Sequence, residues 1–291
     1  MALPAARDHM GRLRLELRVR TVYADLDGTL LGPGGSLFAH PDGSTAEPAL
    51  ALAALAEAGI DLVLVSGRTL EQVREVARAL GASAYVAELG GLLVVRERHG
   101  ETVIEDHGAF EGAGSPFEAI ERSGACGLLL DRYRGRLEPH APWAFVPRRT
   151  SMLLRGNVDP QRAKAALAES GFGWLDLRDN GVISGGPGRF PGLVLGAEEE
   201  VRAYHLVPAG VSKRSGVATH RARLGLPREA CIAVGDSASD LEMAEEVGAL
   251  FVVANGGAAV RGLAIPPNAY LTERSHGLGF ADAVLPFADR A

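Results

Sequence analysis

The stretch Thr21-Val22-Tyr23-Ala24-Asp25-Leu26-Asp27-Gly28-Thr29-Leu30 decides how the chain is read. Four β-prone residues run straight into two acids and a Gly-Thr turn, so a short strand ends in carboxylates. Working outward, residues 46–58 are rich in Ala and Leu, with Leu50, Leu52 and Leu55 spaced for a helix face and Gly59 to stop it. Asp61-Leu62-Val63-Leu64-Val65 is a near-continuous apolar run of the kind buried on both faces of a sheet. Ser66-Gly67-Arg68 follows, residues 69–80 read as a helix closed by Gly81, and 84–87 form a third short strand. This βαβαβ rhythm predicts an α/β fold, a Rossmann-like doubly wound parallel sheet covered by helices. Ligands of such sheets bind beyond the carboxyl ends of the strands, where Asp25 and Asp27 fall.

From 90 to 202 the texture changes to Gly-rich turns, short strands such as 151–154 and helices such as 161–169, an α+β pattern. The α/β rhythm returns with a strand at 204–207, a helix at 213–223, a strand at 231–234 ending in Gly235-Asp236, a helix through 241–247 and a strand at 250–253. The expected organisation is a core of residues 1–89 and 203–291 with a domain of residues 90–202 inserted in it. At the N-terminus, Arg12, Arg14, Glu16 and Arg18 alternate with Leu13, Leu15, Leu17 and Val19, which predicts a strand.

Composition narrows the function. The 291 residues carry 30 Lys+Arg against 36 Asp+Glu, a net charge of −6 with no basic block, so no nucleic-acid surface is expected. Hydrophobic residues at 47% allow a packed core, and aromatics at 5% leave its filling to Ala, Leu and Val. No apolar run approaches the ~20 residues that cross a bilayer, and no signal-peptide pattern opens the chain. Cys126 and Cys231 build no disulfide framework, which fits a reducing cytoplasm. The expected partner is a small molecule, with no nucleic acid and no membrane; the oligomeric state is open.

Asp25, Asp27 and Asp236 all fall at strand ends, with Ser237, Ser239 and Asp240 just after. Carboxylates gathered at one sheet edge repel one another unless a cation neutralises them. A hard, oxygen-seeking ion such as Mg²⁺ suits the set, and it pairs with phosphate. Ser66 is placed to cap the following helix or to hold a phosphate oxygen there. Lys213 opens a helix and supplies a point charge.

In order, Asp25-Leu26-Asp27-Gly28-Thr29-Leu30, Ser66-Gly67-Arg68, Lys213 and Gly235-Asp236-Ser237-Ala238-Ser239-Asp240 resemble the four motifs of the haloacid dehalogenase-like hydrolase superfamily. The insertion between the second and third motifs resembles a C2-type cap of the C2B subtype, the form found in Cof-type sugar-phosphate, sucrose-phosphate, mannosyl-3-phosphoglycerate and archaeal phosphoglycolate phosphatases. The resemblance implies that Asp25 attacks phosphorus and forms an aspartyl phosphate, while Asp27 protonates the leaving alcohol and then activates water. It further implies that Ser66 and Lys213 hold phosphoryl oxygens, that Asp25, the Asp27 carbonyl and Asp236 bind Mg²⁺, and that Asp240 ligates or supports. Thr29, Gly67, Arg68 and Asn255 are the expected substrate contacts. The implied activity is a phosphomonoesterase on a sugar phosphate or a phosphoglycolate-like acid. A phosphosugar mutase and a catalytically silent binding protein on the same scaffold are the alternatives.

The chain departs from the pattern at Ala87-Glu88-Leu89-Gly90-Gly91, where many Cof-like relatives read Glu-Asn-Gly; Leu89 cannot make an Asn's polar contact. In the insertion, Arg148, Arg149 and Arg155 flank a strand and offer positive charge for a second anionic group. His140, His205 and His220 have no metal-ligand spacing and read as polar or packing residues.

Overall fold

The computed structural model describes residues 3–183 and 185–289. Eight strands form the large sheet: β1 Thr21–Ala24, β2 Asp61–Val65, β3 Ala84–Ala87, β4 Leu92–Glu97, β5 Gly100–Glu105, and, after the insertion, β10 Cys231–Gly235, β11 Ala249–Val252 and β12 Ala269–Leu271. The insertion carries four: β6 Leu137–Pro139, β7 Met152–Gly156, β8 Leu175–Val182 and β9 Arg202–Pro208. The large sheet runs β12-β11-β10-β1-β2-β3-β4-β5, parallel through its first six strands, with β4 and β5 antiparallel at one edge. The small sheet is antiparallel, in the order β8-β9-β7-β6.

Helices α2 Glu47–Glu57, α3 Leu70–Leu80, α7 Lys213–Leu224 and α8 His276–Ala288 cover the large sheet, and α4 Pro116–Ser123, α5 Ala125–Arg132 and α6 Pro160–Glu169 belong to the insertion. The period-2 rule shows on β1, whose Val22 and Ala24 enter one apolar layer while Tyr23 enters the other. A third core of Ile120, Leu129, Leu154, Leu167, Leu177 and Tyr204 holds the insertion together.

Three expectations change. The N-terminal alternation is a helix, α1 Ala6–Glu16, because Leu13 and the following Leu17 lie four apart on one face and are buried, while Leu15 is 78% exposed. Residues 92–105 pair into the large sheet, although the sequence reading placed them in the insertion. Residues 204–207 lie in β9 of the small sheet and not in the core sheet: the run is as fully buried as a core strand, but its partners are β7 and β8.

The strand order positions the site. The chain enters at β1, winds one way to β3, then returns on the opposite side of β1 with β10 to β12. That reversal between β1 and β10 leaves a crevice at their carboxyl ends. Ala24 is level with Val234 and with Leu64, so the residues that follow all three strands emerge side by side.

Candidate active site

Asp25 lies 5% exposed beyond β1, its amide bonded to Val234 O at 3.0 Å. Lys213, at the first turn of α7 and 1% exposed, donates from Nζ to Asp25 Oδ1 and to Asp240 Oδ1, both at 2.8 Å. Thr29 Oγ1 sits 3.4 Å from Asp25 Oδ2. Four groups spread over more than 200 positions of sequence thus share one buried cluster, because each follows a strand end or opens the helix packed there.

The other oxygen of Asp240 accepts from Asp236 N at 3.2 Å, Ser237 N at 2.9 Å and Ser237 Oγ at 2.6 Å. Asp240 therefore braces the turn after β10 and fixes Lys213, and it has little capacity left for an ion. Asn255 Nδ2 donates to Gly28 O at 2.8 Å and lies 3.4 Å from Asp236 Oδ2, while its Oδ1 accepts from His276 N at 2.8 Å. It clamps the two acidic loops together. A Cβ on Gly28, whose φ is +84°, would stand 2.1 Å from Asp236 Oδ2. Only a bare α-carbon lets that carboxylate approach.

Asp25, Asp236 and Asp240 each present a carboxylate oxygen within 4.8 Å of the others. Burial raises the Asp25 carboxyl to about 7 against the pull of Lys213, and neighbouring Asp240 and Asp27 add to the rise. Burial and then Asp25 and Asp240 hold Asp236 well above the usual carboxylate range. Burial opposes the Lys213 charge, but Asp240 and Asp25 outweigh it and keep the ammonium protonated. One lysine is too little charge for three acids; an all-oxygen donor set short of positive charge fits a hard divalent cation.

Asp27 stands apart. Its side chain is 56% exposed and is gripped by Arg68 through both oxygens, with Nε to Oδ2 at 2.7 Å. Ser66 is 2% exposed, and its Oγ accepts from Arg68 N at 3.2 Å. It does not cap α3; Thr69 does, accepting from Gln72 N while Gln72 Oε1 accepts from Thr69 N. The Ser66 hydroxyl proton is thereby left free of helix duty. Gly67 brings no side chain: its carbonyl accepts from Arg148 Nη1 at 3.2 Å, and a Cβ there would lie 2.4 Å from Asn180 Nδ2 and 2.7 Å from His205 Nε2. The insertion rests directly on the Ser66-Gly67-Arg68 loop.

Sequence reasoning missed Glu88. It is 1% exposed, and its carboxylate accepts from Arg149 N at 3.1 Å, Thr150 N at 2.9 Å, Thr150 Oγ1 at 3.0 Å and Ser151 N at 3.2 Å, tying the insertion to the end of β3. Leu89 follows with φ 63°, the left-handed region that Asn tolerates and Leu rarely adopts. Its side chain is 1% exposed, so a buried apolar group stands where an Asn would bring a polar one. His220 packs against Tyr23, whose hydroxyl is 2.9 Å from its Nδ1, and has no part in the site.

These features define a strand-end acid site at a topological reversal, roofed by an inserted domain, and similarity to known proteins agrees. A family model described as haloacid dehalogenase-like hydrolase matches residues 22–130 and 195–265, and the chain belongs to that family. It is 26% identical over 270 residues to a phosphoglycolate phosphatase of Methanosarcina mazei, spanning 92% of this chain and 96% of that one. A phosphoglycolate phosphatase of Natronomonas pharaonis is 42% identical over 89 residues, 31% of this chain and 36% of the other. Among solved structures, the fold matches the sucrose-phosphatase of Synechocystis sp. PCC6803 with a TM-score of 0.60 at 15% identity, over 93% of this chain and 98% of that one. A Thermoplasma acidophilum protein matches with a TM-score of 0.58 at 16% identity, over 92% and 98%. No helix among the described residues is long and apolar enough to cross a membrane.

Proposed function

We propose that the protein is a Mg²⁺-dependent phosphomonoesterase that hydrolyses a small phosphorylated metabolite through an aspartyl phosphate on Asp25. The observation that carries this reading is the division of labour between two acids two residues apart. Asp25 is buried with one oxygen fixed by Lys213, whereas Asp27 is exposed at the mouth on a releasable Arg68 pair. A nucleophile needs a fixed aim, and a general acid–base needs access to solvent protons.

In this reading Asp25 Oδ2 attacks phosphorus, and the P–O bond to the alcohol breaks as Asp27 gives that oxygen a proton. Lys213 and Ser66 donate to the phosphoryl oxygens as their charge develops. Asp27, now a carboxylate, takes a proton from water as the water attacks phosphorus, which frees Asp25 and releases phosphate. Asp25, Asp236 and the carbonyl of Asp27 would hold Mg²⁺, which offsets negative charge on the phosphoryl group, and Asp240 would keep Asp236 and Lys213 in place. The curated relatives named phosphoglycolate phosphatase favour a small phosphorylated acid over a sugar phosphate as substrate.

The test is phosphate release from a panel of phosphorylated metabolites, with Mg²⁺ or EDTA, by wild type and Asp25→Asn. Turnover that requires both Mg²⁺ and Asp25 and needs no bisphosphate activator is expected. Undiminished turnover in Asp25→Asn contradicts the proposal, and phosphate moved to a second position of a sugar without release points to the mutase.

A further inference from the structure

Of the three arginines grouped in the insertion, two are already neutralised. Arg149 pairs with Glu105 at 3.0 Å, and Arg155 pairs with Glu138 at 2.7 Å while lying over the Phe190 ring. Arg148 is different. It is 8% exposed, and its Nη1 donates only to neutral oxygens, Gly67 O at 3.2 Å and Ser151 Oγ at 3.1 Å. Its Nε is buried with no partner, and among the described residues no carboxylate pairs with it. Glu88 attracts it from farther off, but that carboxylate is occupied by the amides of residues 149–151. A buried guanidinium with unfilled donors costs several kcal/mol, a cost usually removed by an anion.

A second buried, unpartnered nitrogen adjoins it. His205 is fully buried on β9, with Nδ1 3.2 Å from Ser151 Oγ and Nε2 unpartnered beside Gly67. Ser151 Oγ accepts from Arg148 Nη1 and contacts both Glu88 Oε2, at 3.4 Å, and His205 Nδ1, at 3.2 Å. With its ring proton on Nε2, His205 would offer that nitrogen as a donor facing the seam. Asn180 adds its Nδ2 over the same α-carbon, its Oδ1 accepting from Ser239 Oγ at 3.3 Å. Arg148, His205 and Asn180 come from three segments of the insertion and meet on Gly67, one residue from Ser66.

We infer that Arg148 and His205, with Asn180 beside them, form a specificity subsite for a second anionic group of the substrate, a carboxylate one or two carbons from the phosphate ester. The inference rests on the phosphatase reading and narrows it: substrates of this enzyme are phosphorylated carboxylic acids, and neutral alcohol phosphates of equal size are poor ones. Unpaired donors supply the discrimination, since a ligand without the carboxylate leaves them buried and unsatisfied.

The experiment compares two non-hydrolysable ligands by calorimetry on the full chain with Mg²⁺: 3-phosphonopropionate, which has the carboxylate, and propylphosphonate, which lacks it. Wild type is expected to bind the first about 30–100-fold more tightly, the range of a charge-assisted hydrogen bond to a buried donor. Arg148→Met should bring that ratio to within about threefold, and Arg148→Lys should restore part of it. Should Arg148→Met fail to fold, Arg148→Gln, which keeps a donor for Gly67 O without the charge, gives the same reading. A wild-type ratio near one, or a ratio unchanged in the uncharged variants, overturns the subsite. Absence of phosphate release from every phosphate ester, with the binding ratio and its loss intact, overturns the phosphatase reading and leaves the subsite standing.

Discussion

Replacing Lys213 by Met tests whether the buried acids are held together by too few cations. The ammonium is 1% exposed and makes two bonds of 2.8 Å, to Asp25 and Asp240. Its loss leaves three carboxylates within 4.8 Å of one another and no protein cation among them. Breaking a buried pair by removing one partner costs about 3–5 kcal/mol. The acids can relieve part of this by taking up a proton, which fixes the sign of the pH dependence. Lys213 pulls the Asp25 carboxyl down against burial, so without Lys213 it rises further above about 7. A carboxyl raised in the folded state favours folding below its unfolded value near 4, and that contribution is lost as pH rises through the folded value. The variant should therefore lose less at pH 5.5 than at pH 8, where the full about 3–5 kcal/mol applies. At roughly 2–3 °C per kcal/mol for a chain of this size, the deficit in melting temperature at pH 8 in EDTA is about 6–15 °C. Scanning calorimetry at the two pH values, with and without Mg²⁺, measures it, and Mg²⁺ should shrink it. A melting temperature in EDTA at pH 8 within about 2 °C of wild type refutes the reasoning.

Three further outcomes are expected. Wild-type protein in EDTA should lose stability as pH rises from about 5 to 8, because burial lifts Asp25 to about 7 and Asp236 in the same direction; saturating Mg²⁺ should flatten that slope in thermal melts, and an EDTA curve that rises over the same range would contradict it. Gly28→Ala should raise the Mg²⁺ concentration for half-maximal activity at least tenfold, since the new methyl stands 2.1 Å from Asp236 Oδ2; an unchanged metal titration would show that Asp236 does not bind the ion. Leu13→Ala should cost about 2–4 kcal/mol in denaturant unfolding and Leu15→Ala under about 0.5, the reverse of neither being compatible with a helix that buries Leu13 and exposes Leu15.

The strand-end acids were legible in the sequence because each sits where an apolar run stops at a Gly or Ser turn, and parallel register then brings the ends level. Asp25, Lys213, Asp236 and Asp240 meet as that logic requires. Sheet membership was not legible: residues 204–207 read as a short strand just as β10 does and are as fully buried, and only their partners on β7 and β8 separate them from the core. The Arg/Leu alternation of residues 12–19 satisfies a strand pattern and also an i, i+4 pair, and tertiary burial of Leu13 and Leu17 selected the helix. Asn180 and His205 carry no motif at all, and Glu88 stands in a recognisable stretch that gives it no role. Their roles come from contacts across the seam, as between Glu88 and the amides of residues 149–151 more than 60 positions away. A local pattern holds no record of such contacts; a buried acid directly after β3 was the one available signal.

The central claim is that Asp25 carries the phosphoryl group. Asp27→Asn spares that nucleophile and removes the acid–base group, whose help is typically worth on the order of 10²–10⁴-fold. With an activated aryl phosphate, whose leaving group needs no proton, the variant should still phosphorylate Asp25 and then stall, because the amide cannot activate water. Intact-protein and peptide mass spectrometry after an acid quench should find one added phosphoryl group on the peptide containing Asp25, absent when Asp25→Asn is added to the same variant. An adduct on another residue, or the same adduct without Asp25, contradicts the account.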